Sequence, residues 1–190
     1  MEQIQTTQGP LRLPDDLKGG WALIYYYSGD FSGVSATELM MLGGLAGKFT
    51  RADCRILCIS ADSLTVHLAF SEALARHSPP LPFPLGADPE GALRRSLSLP
   101  RGQKHLWLLA PDGAPRAYYS YPDTLGMNFT EVYRALLALQ TGKATPADWV
   151  PGAPFLSPPP ADTKECFGRM RRVEQAGGAA IDWYLTYEPQ

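Results

Sequence analysis

Tyr25-Tyr26-Tyr27-Ser28-Gly29-Asp30-Phe31-Ser32-Gly33-Val34-Ser35-Ala36-Thr37-Glu38 joins an aromatic, apolar run to the start of a helical pattern. The run opens at Trp21 and closes at Tyr27, where a small polar turn takes over. A strand that delivers a loop to a helix N-terminus is a common way to build a site. Free backbone N–H groups and the positive end of the helix dipole converge there and favour an anion or an activated nucleophile. Ser35 reads as the exposed candidate, with Ser32 three residues before it. The same residues also suit an ordinary strand-to-helix turn capped by serines, and this stretch alone leaves both readings open.

Outward from the loop, the apolar positions Leu39, Met40, Leu42 and Leu45 predict a helix over about 36–48, with Thr37 and Glu38 in its first turn. Arg55 to Ser60 is a short apolar run without alternation, as expected for a strand covered on both faces. A second helix is expected from Leu64 to Arg76, and Ser78 to Gly86 is proline-rich, hence loop or edge strand. Pro89 to Leu97 suits a short helix. His105 to Leu109, the turn Pro111-Asp112-Gly113 and Pro115 to Ser120 read as a hairpin. Phe129 to Thr141 carries Val132, Leu136, Leu137 and Leu139 at helical spacing. Residues 1–20 read as loop, and 145–160 as a proline-rich linker. The tail then offers a helix over 163–175, a Gly177-Gly178 break and an aromatic end at Asp182-Trp183-Tyr184-Leu185. This order of elements is that of an α/β sandwich with parallel crossovers and an antiparallel edge.

Composition narrows the function classes. A chain of 190 residues with 45% apolar residues suits a soluble domain with a sizeable core. The net charge of -2 and the absence of a long basic run give nucleic-acid binding little support. No apolar segment approaches the ~20 residues of a membrane span, and Met1 to Asp16 shows no basic-then-apolar export pattern, so a cytoplasmic setting is expected. The three cysteines, Cys54, Cys58 and Cys166, match neither a disulfide framework nor a zinc site. Cys54 and Cys58 lie about 13 Å apart along a strand, too far to bridge. Neither a metal nor a cofactor is called for.

The motifs taken in order resemble the peroxiredoxins, thioredoxin-fold peroxidases, and within them the branch with a long C-terminal extension. The segment 30–38 looks like the family's D-F-T-F-V-C-P-T-E. Ser60-Ala61-Asp62-Ser63 followed by His67 is similar to S-x-D-S-x-x-x-H, and Phe83-Pro84-Leu85 with Asp88-Pro89 to F-P-x-x-x-D-P. Pro146-Ala147-Asp148-Trp149-Val150-Pro151-Gly152 looks like P-x-x-W-x-P-G. The resemblance implies a thioredoxin-like mixed, mostly parallel sheet over about 1–160 and a C-terminal arm, 161–190, that contacts a partner subunit. A homodimer, or a higher oligomer, is then expected, since aromatic anchors such as Trp183 and Tyr184 suit an interface.

The same resemblance marks where the chemistry departs. The active-site signature P-x-x-x-T-x-x-C falls on Ser28, Ser32 and Ser35, and the proline that usually follows the nucleophile is Ala36. The supporting arginine falls on Lys104, the arginine of a G-R-N turn on Met127, and a resolving-cysteine position on Thr145. The implied site is therefore Ser35 at the peroxidatic position with Ser32, Glu38 and Lys104. Hydrogen peroxide or an alkyl hydroperoxide is the implied substrate only where the nucleophile is cysteine. Replacement of cysteine by serine at position 35 alone would disarm a one-cysteine-type peroxidase, but it would not account for Ser28, Ala36, Lys104 and Met127. These expectations point to a family member that keeps the pocket without thiol peroxidase activity, a binding or assembly module. A hydrolase built from Ser35, His67 and Asp62 has the residue types but no G-x-S-x-G elbow, and His67 reads as structural.

Overall fold

The computed structural model describes residues 2–175 and 182–188, so the Gly177-Gly178 break lies outside the described residues. Residues 1–133 and 134–190 form two compact units. The first is built on a seven-stranded sheet of strands β1 (Glu2–Thr6), β2 (Leu11–Leu13), β3 (Trp21–Tyr26), β4 (Cys54–Ser60), β5 (Leu85–Ala87), β6 (Gln103–Leu109) and β7 (Pro115–Pro122). Their order across the sheet is β2-β1-β5-β4-β3-β6-β7.

β3, β4 and β5 run parallel because helical crossovers join them: α1 (Gly33–Arg51) links the first pair and α2 (Leu64–Ala75) the second. β6 lies antiparallel to β3 and returns through the Pro111-Asp112-Gly113 turn to β7, which ends the sheet. Gly113 sits there at φ 84°, a conformation glycine adopts at no steric cost. This is the thioredoxin-like α/β sandwich expected from the motifs, but its sheet is mixed rather than mostly parallel: only β3–β4 and β4–β5, the pairs joined by helical crossovers, run parallel, and the other four pairings among the described residues are antiparallel.

Strand alternation divides the core. On one face Leu23, Tyr25, Cys58, Leu106 and Leu108 are buried, together with Leu39, Leu42 and Phe49 of α1. Phe129, at the start of α4 (Phe129–Gln140), stands edge-on to Tyr25 at 5.5 Å. On the other face Ala22, Tyr26, Leu57, Ile59 and Leu109 cluster with Ile4, Leu13 and Leu17, while Leu93 of α3 (Ala92–Ser96) packs against them.

The N-terminus corrects the expectation of a loop over 1–20. β1 pairs antiparallel with β2 and with β5, and Asp15–Leu17 forms a turn of 3₁₀ helix. Ile4, Leu13 and Leu17 enter the core, so partners distant in sequence make strands of a segment whose own propensity is poor. β5 likewise lies inside the sheet between β1 and β4, at the end of the stretch expected to be loop or edge.

Among the described residues no helix is long and apolar enough to cross a membrane. In the second unit, Trp149 stacks on Phe155 at 5.5 Å and donates its indole N–H to the Ala153 carbonyl at 3.0 Å. α5 spans Thr163–Gln175, as the helical spacing predicts.

Candidate functional site

The loop between β3 and α1 places the site. α1 begins at Gly33, three residues earlier than expected, because Ser32 caps it: its backbone is extended and its Oγ accepts the Ser35 N–H at 3.4 Å. Two expectations change with that start. Glu38 lies in the second helical turn rather than the first. Ser35 is not exposed; its side chain points into the protein at 0% exposure.

Ser35 Oγ is buried without a hydrogen-bond partner among the described residues. A lone polar atom in that position carries a desolvation penalty of about 1–3 kcal/mol. The residue thus lies on the buried face of α1, with Glu38, Leu39 and Leu42.

Glu38 is the electrostatic centre beneath it. Its Oε1 accepts from the Lys104 ammonium and, at 2.7 Å, from the backbone N–H of Met127. Its Oε2 accepts from the Tyr25 hydroxyl at 2.6 Å. Lys104 comes from β6, Tyr25 from β3 and Met127 from the turn before α4, so three separate segments fix one carboxylate. Burial and the Glu38 charge push the Tyr25 phenol well above its ordinary value, so it stays a hydrogen-bond donor. The structure therefore brings Ser32 and Ser35 together through a cap, and Glu38 and Lys104 together through an ion pair.

A second cluster anchors the loop. Asp30 Oδ1 accepts from the Tyr27 hydroxyl at 2.5 Å, its Oδ2 lies 2.8 Å from His67 Nδ1, and its backbone N–H donates to Asp62 Oδ2 at 2.7 Å. Gly29, at φ 144°, must lack a side chain, since a Cβ there would stand 3.1 Å from Asp62 Oδ2. Ser28 Oγ donates to Asp123 Oδ1 at 2.8 Å, tying the loop to the turn after β7.

This geometry excludes the hydrolase triad. His67 is engaged with Asp30 and with the Gly86 carbonyl, and Asp62 with the Asp30 N–H and the Ser60 hydroxyl. Neither is bonded to Ser35. Sequence reasoning missed Tyr25, Asp30 and the Met127 backbone as members of the site. Asp30 stands in the quoted loop motif, but nothing in the sequence marks a tyrosine within an apolar run as a partner of a helix carboxylate.

The remaining thiols offer no substitute nucleophile within the first unit. Cys58 is fully buried, and burial together with the Glu38 charge holds its thiol far above the ordinary value. Burial, aided by the nearby Asp53 charge, pushes the Cys54 thiol up to about 12. Cys166 is on α5 in the second unit.

The AhpC/TSA family matches residues 2–119, and the C-terminal domain of 1-Cys peroxiredoxin matches 137–170. The chain belongs to the peroxiredoxin family. The peroxiredoxin of Aquifex aeolicus is 31% identical over 205 residues, covering 96% of this chain and 90% of the relative. That of Ignicoccus hospitalis is 30% identical, covering 97% and 83%. A crystal structure of a cysteine-to-serine mutant of peroxiredoxin 6 of Arenicola marina superposes with a TM-score of 0.83 at 27% identity, over 100% of this chain and 94% of that one. The yeast mitochondrial 1-Cys peroxiredoxin, 21% identical with a TM-score of 0.82, shares the fold. Within this peroxiredoxin-family chain, both the loop of β3–α1 and Lys104 of β6 fall inside the AhpC/TSA match.

Proposed function

We propose that this peroxiredoxin-family protein keeps the family pocket without thiol peroxidase chemistry and works as a binding or assembly module. The observation that carries this reading is Ser35 Oγ, an oxygen buried and without a hydrogen-bond partner among the described residues at the start of α1, in the position that the family signature gives to the reacting sulfur. In peroxide reduction a thiolate attacks one peroxide oxygen and the O–O bond breaks. Sulfur is oxidised to a sulfenic acid, and the departing hydroxide takes up a proton to leave as water. A hydroxyl has no such oxidation state to enter, and it is barely ionised without a general base.

The nearby groups do not supply that base. Lys104 is committed to Glu38, and a point charge cannot reproduce the planar two-pronged hold of an arginine. Met127 offers only its backbone N–H, and that too goes to Glu38.

The reading includes a homodimer in which residues 161–190 form an arm contacting the partner. Phe167 and Tyr184 are large exposed apolar side chains in this segment, which supports such an interface. Light scattering that returned a monomer at working concentration would contradict it.

Peroxide consumption with a thiol reductant tests the chemistry. The unmodified protein is expected to show no turnover, whereas Ser35→Cys forms a sulfenic acid trappable by dimedone. Turnover by the serine protein would overturn the reading.

A further inference from the structure

We propose that the cleft beside the N-terminal half of β4 is a binding site for a small organic acid, a carboxylate carried on a compact apolar body. The cleft exists because β5 is short. β5 pairs with β4 only at Cys58–Ser60. The segment leading into it, Pro82-Phe83-Pro84, has a proline on either side of Phe83 and cannot extend the ladder. Beside the first residues of β4 this leaves a cavity of about 580 Å³, a size typical of small-molecule sites.

The walls are apolar. Leu11 of β2, Leu17 of the 3₁₀ turn, Ile56 of β4, Phe83 and, from α1, Ala46 line the cleft. Such walls release water from a hydrocarbon chain or ring laid against them. They take up the body of the ligand and leave its charge to other groups.

Those groups are donors. Arg55 lines the cleft, and its Nη1 donates to the Asp16 carbonyl at 2.8 Å. That bond holds the guanidinium in place and leaves its other N–H groups for a ligand. Arg51 Nη1 lies 3.6 Å from where a Cβ on the cleft-lining Gly47 would stand, so a second guanidinium overhangs the wall. Neither arginine pairs with a carboxylate among the described residues. The two acidic side chains of the cleft do not compete for them. Both oxygens of Asp16 accept from Arg12, and those of Asp53 lie against Gly20, on the β3 side.

The strand edge adds a main-chain donor. The Asp53 and Ile59 carbonyls bond to the β3 side, whereas the Cys58 N–H and the Ser60 carbonyl bond to the β5 side. The same alternation turns the Ile56 peptide group toward β5, which reaches no further than Cys58. The Ile56 N–H is thus left facing the cleft. Two guanidinium groups and a peptide N–H over apolar walls select a carboxylate in preference to an amine or a neutral analogue. Ser35 follows the far end of β3, roughly 20 Å along the sheet at ~3.3 Å per residue, so the two sites are separate.

Amide spectra of the nitrogen-15-labelled full chain, titrated with phenylbutyrate, test the site. Saturable shifts are expected at Gly47, Ile56 and Phe83, with a roughly millimolar dissociation constant for a ligand of about twelve non-hydrogen atoms. Phenylbutyramide and phenylbutylamine, which share the ring and chain, should bind roughly tenfold more weakly. Arg55→Gln, a change at an exposed side chain, should weaken the acid roughly tenfold and leave the amide unchanged. Absence of saturable shifts at these residues would overturn the proposal. So would equal affinity for acid and amide, or an Arg55→Gln effect of the same size on both. Amides of the 29–35 loop should stay unmoved, and neither Ser35 nor peroxide enters the readout, so the result is independent of the proposed function.

Discussion

The Lys104 ammonium and the Glu38 carboxylate form an ion pair in which Lys104 is 0% and Glu38 2% exposed. The two residues are 66 positions apart and approach from β6 and α1. Such a pair is costly to build and more costly to halve, because the surviving charge remains in a medium that cannot solvate it. Glu38→Gln should therefore lower stability by about 3–5 kcal/mol in urea denaturation. The double change with Lys104→Met should recover most of that. A single-variant loss below about 1 kcal/mol would mean that water reaches the pair.

Ser35→Ala should have the opposite sign. The Oγ is buried without a partner among the described residues, so alanine removes a polar atom that gains nothing in the folded state. An increase of about 1 kcal/mol in unfolding free energy is expected. A decrease of that size would show that the hydroxyl has a partner in solution.

Stability should decline at alkaline pH. The Cys54 thiol is raised in the folded protein from 9.0 to about 12, while the unfolded chain titrates it at the lower value. Between those two pH values the folded state retains a proton that the unfolded state has lost, so the unfolded state is favoured as pH rises. The contribution is complete below about pH 9 and vanishes through about 12. Cys58 and the phenols of Tyr25, Tyr26 and Tyr27, all shifted upward, act in the same direction. Thermal melts from pH 7 to 10.5 should show a falling midpoint above pH 9, and Cys54→Ala should make the decline shallower.

Gly86 has almost no room. A Cβ there would lie 2.9 Å from Ile4 Cδ1 and 3.3 Å from Ile59 Cγ1, where β5 pairs with β1 and β4. Gly86→Ala should cost about 1–3 kcal/mol by chemical denaturation. Adding Ile4→Val, which deletes the nearer atom, should restore part of the loss; two simply additive effects would rule out this contact as the cause.

What the sequence disclosed follows the range of the forces involved. β3, β4 and β6 are apolar runs with both faces covered, and their composition announces them. β1 is polar and β2 only three residues long, and they become strands only through partners at Ala87, Gly86 and one another. The start of α1 was misplaced because Gly33 and Val34 are weak helix formers, and the local cap by Ser32 outweighs them. The identity of the site loop was legible as a motif. The burial of Ser35 and the partnership of Lys104 with Glu38 were not, since both depend on how α1 lies over the sheet.

The consecutive tyrosines of β3 and its exit carry a further consequence. Tyr25 bonds to Glu38 on one face of the sheet, Tyr26 to Asp88 on the other at 3.0 Å, and Tyr27 to Asp30 in the site loop. Each bond ends on a carboxylate that itself organises a different segment: Glu38 gathers β6 and the turn before α4, Asp88 caps the start of α3 through the Leu93 and Arg94 N–H groups, and Asp30 holds the loop. Partial melting of any one layer would leave a buried phenol or carboxylate stranded at this strand. The first unit is thereby committed to opening as a single cooperative block, and its slowest-exchanging amides should lie along Trp21–Tyr27.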